Sequence, residues 1–501
     1  MKGSGSISQG IRAGRCIAVL LVVMAEASTT YAQLGQEAPR PVTAAGTVQT
    51  APPSVLLSPA PTATSGTSAD PFSGSVISGK ATDEVISVSL RDAINRGLKA
   101  NLGALLTEQG ITGARAQRWR ALQSMLPDVT ARVGESVQQI NLAAQGIRFP
   151  GVPAIIGPFS NFDARAFLTT NAGLTQYESI RSSVENLRAS QFSYRNALEL
   201  VVFSVSNAYL QVLTAGANVV NAQAQVRTAR AILDQAKQMH QAGVSAKIDE
   251  LRATVELQAR QQDLIVAKNN LDKSRITLAR TIGLPLEQKY ELADALQFIP
   301  APPMTQEEAL HRAHQGRFDY RQAQAQVRAA ELSERAARFE RLPILSFSGN
   351  YGDIGISPGS SHGTFVAAGG IQVPIFEEGR IRGDVYQAQG NLKQSKDLLA
   401  DLEGRINAEI RTAFLDINAT SEQVQLADST VKLAEEELAE ARERFAAGVT
   451  DNLEVVQAQG SLVNAQNQYV SSLYVHNLAK LTLARVVGEA RQNAATYLGG
   501  K

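Results

Sequence analysis

The sequence predicts a mainly α protein with a membrane β-barrel part, built from two tandem repeats of helix, strand, strand, long helix, turn and helix. Three observations carry that prediction. The first is a duplicated heptad code. From Ile410 every seventh residue is bulky (Ile410, Ile417, Val424, Val431, Leu438, Phe445), and the interleaved series is mostly small (Ile406, Ala413, Thr420, Ala427, Ala434, Ala441). Subtracting 205 returns the same code in Val205, Val212, Val219, Val226, Leu233, His240 and Val201, Ala208, Ala215, Ala222, Ala229, Ala236. Alternating spacings of four and three make the seam of a long helix, and a strict seven-residue repeat keeps that seam on a neighbour only through a left-handed supercoil. The second observation is a switch to period two ahead of each long helix, as along a strand. The third is that caps, Leu-Pro stops and Gly turns recur in one order in both halves.

Composition narrows the class. The 501 residues leave room for two or three domains. Lys and Arg number 48 against 47 Asp and Glu, so no basic surplus points to nucleic acid. Aromatic residues make up only 5%, low for one large globular core and natural for long Ala- and Gln-rich helices.

Residues 1–32 read as a secretory signal: Lys2, Arg12 and Arg15 precede the apolar run Ile17 to Ala25, and Thr30-Tyr31-Ala32 offers a cleavage site. The single cysteine, Cys16, lies before the apolar run, whereas a lipid-anchor cysteine would follow it. A chain starting near Gln33 would hold no disulfide in an oxidising compartment. Beyond the signal no stretch of about 20 apolar residues is found, so no transmembrane helix is expected and a membrane crossing would fall to a β-barrel.

In chain order, 33–84 is a Pro-, Ala-, Ser- and Thr-rich leader expected to be flexible. The first repeat spans 85–284. Ser89-Leu90-Arg91-Asp92 is a capping box opening a helix to about Gln123, and Leu126-Pro127 stops it. A strand over about 127–142 sets Val129, Ala131, Val133 and Val137 against Asp128, Thr130, Arg132 and Ser136. After a Gly/Pro-rich loop from Gln145 to Asn161, a second strand over about 162–176 alternates from Phe162 to Leu174. The helical hairpin 179–283 follows, its first arm about 95 Å long. It reverses at Ala242-Gly243-Val244-Ser245 and returns with Leu257, Leu264, Leu271 and Leu278 on one stripe. A connector, 285–304, leads to the second repeat, 305–488, whose opening matches the first at an offset of 216 (Ala93/Ala309, Arg96/Arg312, Pro127/Pro343). Strands are expected over about 343–354 and 364–376, the latter closed by Val373-Pro374-Ile375-Phe376, and a hairpin over 379–488 turning at Ala447-Gly448-Val449-Thr450. The offset falls from 216 to 205, a shortening expected in the first hairpin loop. Residues 489–501 read as a tail.

Four strands cannot close a barrel, whose smallest closed forms have about eight. Open edges are forbidden in lipid, so sister chains must complete the sheet; two chains give eight strands and three give twelve. The helices are far longer than a bilayer is thick, and therefore project into water.

The double repeat, the Leu-Pro before each strand pair, Val373-Pro374-Ile375-Phe376 with Gly379-Arg380, and the Ala-Gly-Val turn followed by Leu453, Val456, Ala458 and Gln459 resemble the outer-membrane factor (TolC-like) family over about Ser89 to Gly488. The resemblance implies a homotrimer with a twelve-stranded β-barrel in outer-membrane lipid, continued by a periplasmic α-helical barrel. It implies the exit duct of a tripartite efflux pump or type I secretion system, with an inner-membrane transporter and a periplasmic adaptor docked at the helical tips, at Gly243, Val244, Gly448 and Val449. It also implies a constriction of acidic residues just past the second turn. That role falls on Glu454, with Asp451 nearby, Gln457 at the family's second acidic position, and Asp249 in the matching place of the first copy. For Glu454 a solvated first-turn acid favoured by the helix dipole is as good a reading, for Asp451 it is the better one, and it applies to Asp249 as well.

No cofactor, metal or bond chemistry is expected. His311 and His314 read as a surface pair, His240 as a packed tip residue, and Gly349, Gly352 and Gly355 lie on a strand rather than before a helix. The rival reading, an envelope coiled-coil scaffold without a channel, explains the seams but not four alternating strands. A periplasmic adaptor would not be expected to duplicate its hairpin together with two strand pairs. The cargo is not readable.

Overall fold

Both heptad series end up inside. In a computed structural model describing residues 71–144, 146–148, 150–450 and 452–499, every seam residue of the second copy except Val431 is buried. So is every one of the first copy except Ala215, Val226 and His240. The expected signal and most of the leader lie outside the described residues.

The first repeat runs β1 (Ile86–Val88), α1 (Leu90–Ala100), α2 (Leu102–Gln123), β2 (Asp128–Asn141), β3 (Ile155–Ala172), α3 (Leu174–Gln241) and α4 (Lys247–Ile282). The second runs β4 (Tyr290–Leu292), α5 (Gln306–Gly316), α6 (Phe318–Phe339), β5 (Ile344–Gly355), β6 (His362–Gln372), α7 (Glu378–Ala446) and α8 (Asn452–Val487), and α9 (Ala490–Leu498) closes the chain. Ser89 caps α1 in the expected capping box, its Oγ accepting from Asp92 N at 3.2 Å. Thr305 caps α5 by accepting from Glu308 N.

The strands form one antiparallel sheet in the order β2-β3-β5-β6. Its register aligns the apolar alternation of all four strands: Val129 faces Leu168, Leu168 faces Gly349, and Gly349 faces Ala367. Val129, Val133, Val137, Leu345, Tyr351, Phe365 and Ile371 therefore share one face, and all are exposed. The opposite face carries Arg132, Arg165, Thr169, Ser346, Ser348 and Asn350. Among the described residues β2 and β6 are paired on one side only.

The main core sits where α1, α5 and α9 gird the middle of the long helices. It unites Leu90, Ala93 and Ile94 with Val201, Val202, Val205 and Tyr209, and with Ile406, Ile410, Leu481 and Val487. Tyr209 donates from its hydroxyl to Asp294 Oδ2 (2.8 Å) and Val88 O (3.1 Å), and burial pushes its pKa upward. α3 also holds an 18-residue window of mean hydropathy 1.4, contrary to the expected absence of any apolar stretch of spanning length. Half of that window is buried inside the chain, and α3 commits Val201, Val202 and Val205 to the core.

Several boundaries differ from expectation. Each opening helix is two helices, broken at Asn101 and at Arg317, which correspond under the 216 offset. Asn101 is buried; its Oδ1 accepts from Gly103 N (2.9 Å) and its Nδ2 donates to Phe72 O (2.7 Å). Arg317, nearly buried, reaches Asp319 (2.7 Å), Glu409 (2.6 Å) and Val486 O (3.3 Å). β3 starts at Ile155, inside the expected loop, because Ile155 and Ile156 pair with Asn141 and Ile140 across a bulge. α3 begins at Leu174, ahead of 179. β6 ends at Gln372, and Val373–Phe376 lies beyond it with Ile375 and Phe376 almost fully exposed. The first copy's extra length is thus spread over longer strands as well as the loop. The connector supplies β4, parallel to β1, and the tail forms α9, whose Arg491 N donates to Glu199 Oε2 (2.9 Å).

The connector is also pinned to α8. Ile299 O accepts from Lys480 Nζ at 2.8 Å and lies 3.3 Å from His476 Nε2, and both side chains are fully buried. Burial pushes the Lys480 ammonium down to about 8 and His476 below its usual value. Between pH 8 and the unfolded value of about 10.4 the unfolded chain binds the extra proton, so stability rises with pH in that window. The heat-denaturation midpoint of the wild type, measured against Lys480→Met, is expected to climb between pH 8 and 10. A constant difference between the two proteins would contradict this assignment.

Candidate functional site

The end of the helices opposite the sheet is built by two reversals of the same design. In the first, Gly243 takes φ +74°, Gly243 N donates to His240 O and Val244 N to Met239 O. In the second, Gly448 takes φ +68°, Gly448 N donates to Phe445 O and Val449 N to Arg444 O. The six-to-one bond with glycine in the left-handed region is a Schellman stop. It leaves Val244 and Val449 at the apex, 63% and 70% exposed.

Behind the apices the two hairpins share a core. Ile232, Leu233 and Ala236 of α3 and Ala253 of α4 pack with Leu438, Ala441 and Phe445 of α7 and with Val455 and Ala458 of α8. Asn452, fully buried in the first turn of α8, donates from Nδ2 to Asp249 O at 3.0 Å and so ties one tip to the other. His240 is half-buried with Nδ1 3.1 Å from Ser245 O, a packed tip residue as expected.

The expected acidic residues fare differently. Glu454 is partly exposed, with Oε1 2.8 Å from Arg444 Nη1 and Oε2 accepting from Thr450 Oγ1 at 2.5 Å. Asp249 is only 6% exposed, its Oδ1 3.6 Å from Arg252 Nη1. Asp451 lies outside the described residues. Beside them Lys247 bonds Glu250 at 2.7 Å and holds its carboxyl below the usual range. The sequence reading missed Asn452, Arg444 and Thr450. Arg444 and Glu454 flank the turn ten residues apart, a spacing that becomes a contact only once the reversal is known. Of the weaker histidines, His314 stacks on Tyr320 at 5.3 Å and His311 lies 3.2 Å from Gln315.

A sheet with one apolar face and two free edges, set on paired coiled helices, is the build of an outer-membrane channel subunit. Residues 169–284 and 309–489, more than half of the chain, match the model of the outer membrane efflux protein family. The chain belongs to that family and is an outer-membrane protein. It is similar to the pyoverdine export outer membrane protein OpmQ of Pseudomonas putida, 27% identical over 323 residues, which cover 61% of this chain and 66% of that relative. To OpmQ of Pseudomonas aeruginosa it is 26% identical over 442 residues, 79% of this chain and 86% of the relative. Its fold matches the Campylobacter jejuni CmeC outer membrane channel with a TM-score of 0.70 at 19% identity, over 84% of this chain and 92% of that one.

The Gly448 turn gives a direct test of the tip. A β-branched side chain at a positive φ costs about 1–2 kcal/mol, and a Cβ at Gly448 meets no neighbour within 4 Å. Gly448→Val is therefore expected to speed hydrogen exchange over the last turn of α7 while leaving the central core unchanged. Equal exchange in both proteins would show that the turn tolerates the substitution.

Proposed function

We propose that three copies of this chain pool their sheets into one twelve-stranded barrel and their helices into one periplasmic tube, making the passive exit duct of an efflux or secretion system. The observation that carries this reading is the four-stranded sheet with a mostly apolar face, interrupted by Glu135 and Asp353, and with β2 and β6 each paired on one side only among the described residues. In lipid each free edge needs a partner strand, because unpaired backbone groups cost several kcal/mol apiece. Twelve strands leave an aqueous lumen, whereas eight fill their own interior. The exposed apolar side chains Leu415, Leu426 and Leu433 of α7 and Val255, Ile265 and Ile276 of α4 suit helix packing between copies.

The tip is where the duct opens. Val244 and Val449, presented by Gly243 and Gly448, are the docking points for a periplasmic adaptor, which links the duct to an inner-membrane transporter. Glu454 and Asp451 supply the acidic constriction. Asp249 joins them only where the hairpins part, since its carboxylate is buried while they are together. The relatives named for pyoverdine export make a secreted small molecule the first cargo class to test.

Protein purified from the outer membrane is expected to run as a heat-modifiable trimer and to give discrete conductance steps in planar bilayers. Glu454→Ala with Asp451→Ala is expected to raise several-fold the cation concentration that halves the current. A monomer without conductance would overturn the duct. An unchanged cation block would remove only these acids from the constriction.

A further inference from the structure

On the polar face of the sheet, register places Arg132 directly opposite Arg165. Like charges facing each other across a strand pair destabilise it, so their survival needs a cause. Part of it is Phe167, whose ring lies under both guanidiniums, 5.4 Å from Arg132 and 5.2 Å from Arg165. The rest is Asp163, which takes the fork of Arg165 through Nε (2.7 Å) and Nη2 (2.5 Å), while Arg165 Nη1 donates to Asn350 Oδ1 at 3.4 Å. Arg165 is therefore neutralised and held. Arg132 is exposed on the polar face and forms no ion pair of its own among the described residues; Asp163, diagonal to it across from Gly134, acts on it only through space.

The same row continues through Gly352 and Thr364. Gly352 stands at φ +156°, and a Cβ there would lie 2.1 Å from Ala164 O, so no side chain can stand in that position. The row beyond Arg165 therefore carries no side chain at Gly352. The acid lower on its own strand, Asp128, is four residues and about 13 Å away.

We propose that Arg132, stacked on Phe167 and braced by Arg165, is an anion-binding station inside the barrel that takes carboxylate groups of passing solutes. The inference rests on the duct reading, which turns this face toward the lumen. A planar guanidinium with a free fork matches a carboxylate in two parallel hydrogen bonds, and low-dielectric walls focus its field along the pore. Three copies give three such charges at one level. The duct then carries opposite signs at its two ends, acidic at the helical tips and cationic in the barrel.

The test uses the whole channel in planar bilayers, with citrate as the probe, added from the side opposite the helical tips. Wild-type current is expected to fall with citrate. Arg132→Gln is expected to raise the half-blocking concentration about tenfold and Arg132→Lys to raise it less. Absence of citrate block in the wild type overturns the station without any variant, as does equal block in wild type and Arg132→Gln. Absence of any conductance from the wild type is a different result, and strikes the duct reading itself.

Discussion

The constraint on which the rest depends is the hydrogen-bonding of backbone at the edges of the sheet. Among the described residues β2 and β6 each offer one side with no strand beside it, and the face they frame is mostly apolar from Val129 to Ile371. Such a face is stable in lipid and such an edge is not. Neither twisting the sheet nor covering it with the chain's own helices resolves the conflict, because the helices are occupied elsewhere: α3 packs along α4, α6 and α8, and α7 along α6 and α8. Only more strands of the same kind resolve it. The duplication within the chain is the first step of that solution, and the association between chains proposed above would be the second. A scaffold without a channel would leave the sheet with no role.

The long helices obey a different rule. Their alanine layers permit close approach of backbones, and their bulky layers fill the gaps, which gives two separate cores rather than one. The central core is thick because α1, α5 and α9 add their own apolar faces to it. The tip core is thin, drawn from nine buried side chains on four helices. The polar groups beside it are few and individually placed: Asn452 on Asp249 O, Glu454 between Arg444 and Thr450. A region with a small core and a handful of hydrogen bonds opens locally at lower cost than one with a large core. The tip is accordingly the part of the chain suited to move, and the girdle the part suited to hold.

What was legible in the sequence follows the length of the pattern that encodes it. The heptads of α3 and α7 run over many turns, so a single exception such as His240 or Thr420 does not hide them. The strands were legible in type, and their shared apolar face follows from period two. Their ends were not, because pairing overrides local turn chemistry: Ile155 and Ile156 join β3 despite the neighbouring Gly157-Pro158, since Asn141 and Ile140 stand opposite. The breaks at Asn101 and Arg317 were missed for the reverse reason. Local propensity there permits helix, and the break is imposed by tertiary bonds to Phe72 O in one copy and to Glu409 and Val486 O in the other. Elements as short as β1 and β4 carry no periodicity at all. At the tip the glycines were legible, whereas Asn452 was not, because a buried amide has no pattern until its acceptor on the other hairpin is known.

The two copies have diverged where their duties differ. Under the 205 offset Asp249 corresponds to Glu454, yet one is buried beside Arg252 of its own helix and the other is partly exposed and paired to Arg444 across the turn. Asn101 corresponds to Arg317 under the earlier offset, and both break a helix, one by capping through its own amide and the other by reaching across to α7 and α8. The backbone solution was kept and the side-chain means replaced. That is the expected course for a duplicated unit whose copies keep one backbone geometry while meeting different neighbours: the geometry is constrained at both places, and only the contacts are free to change.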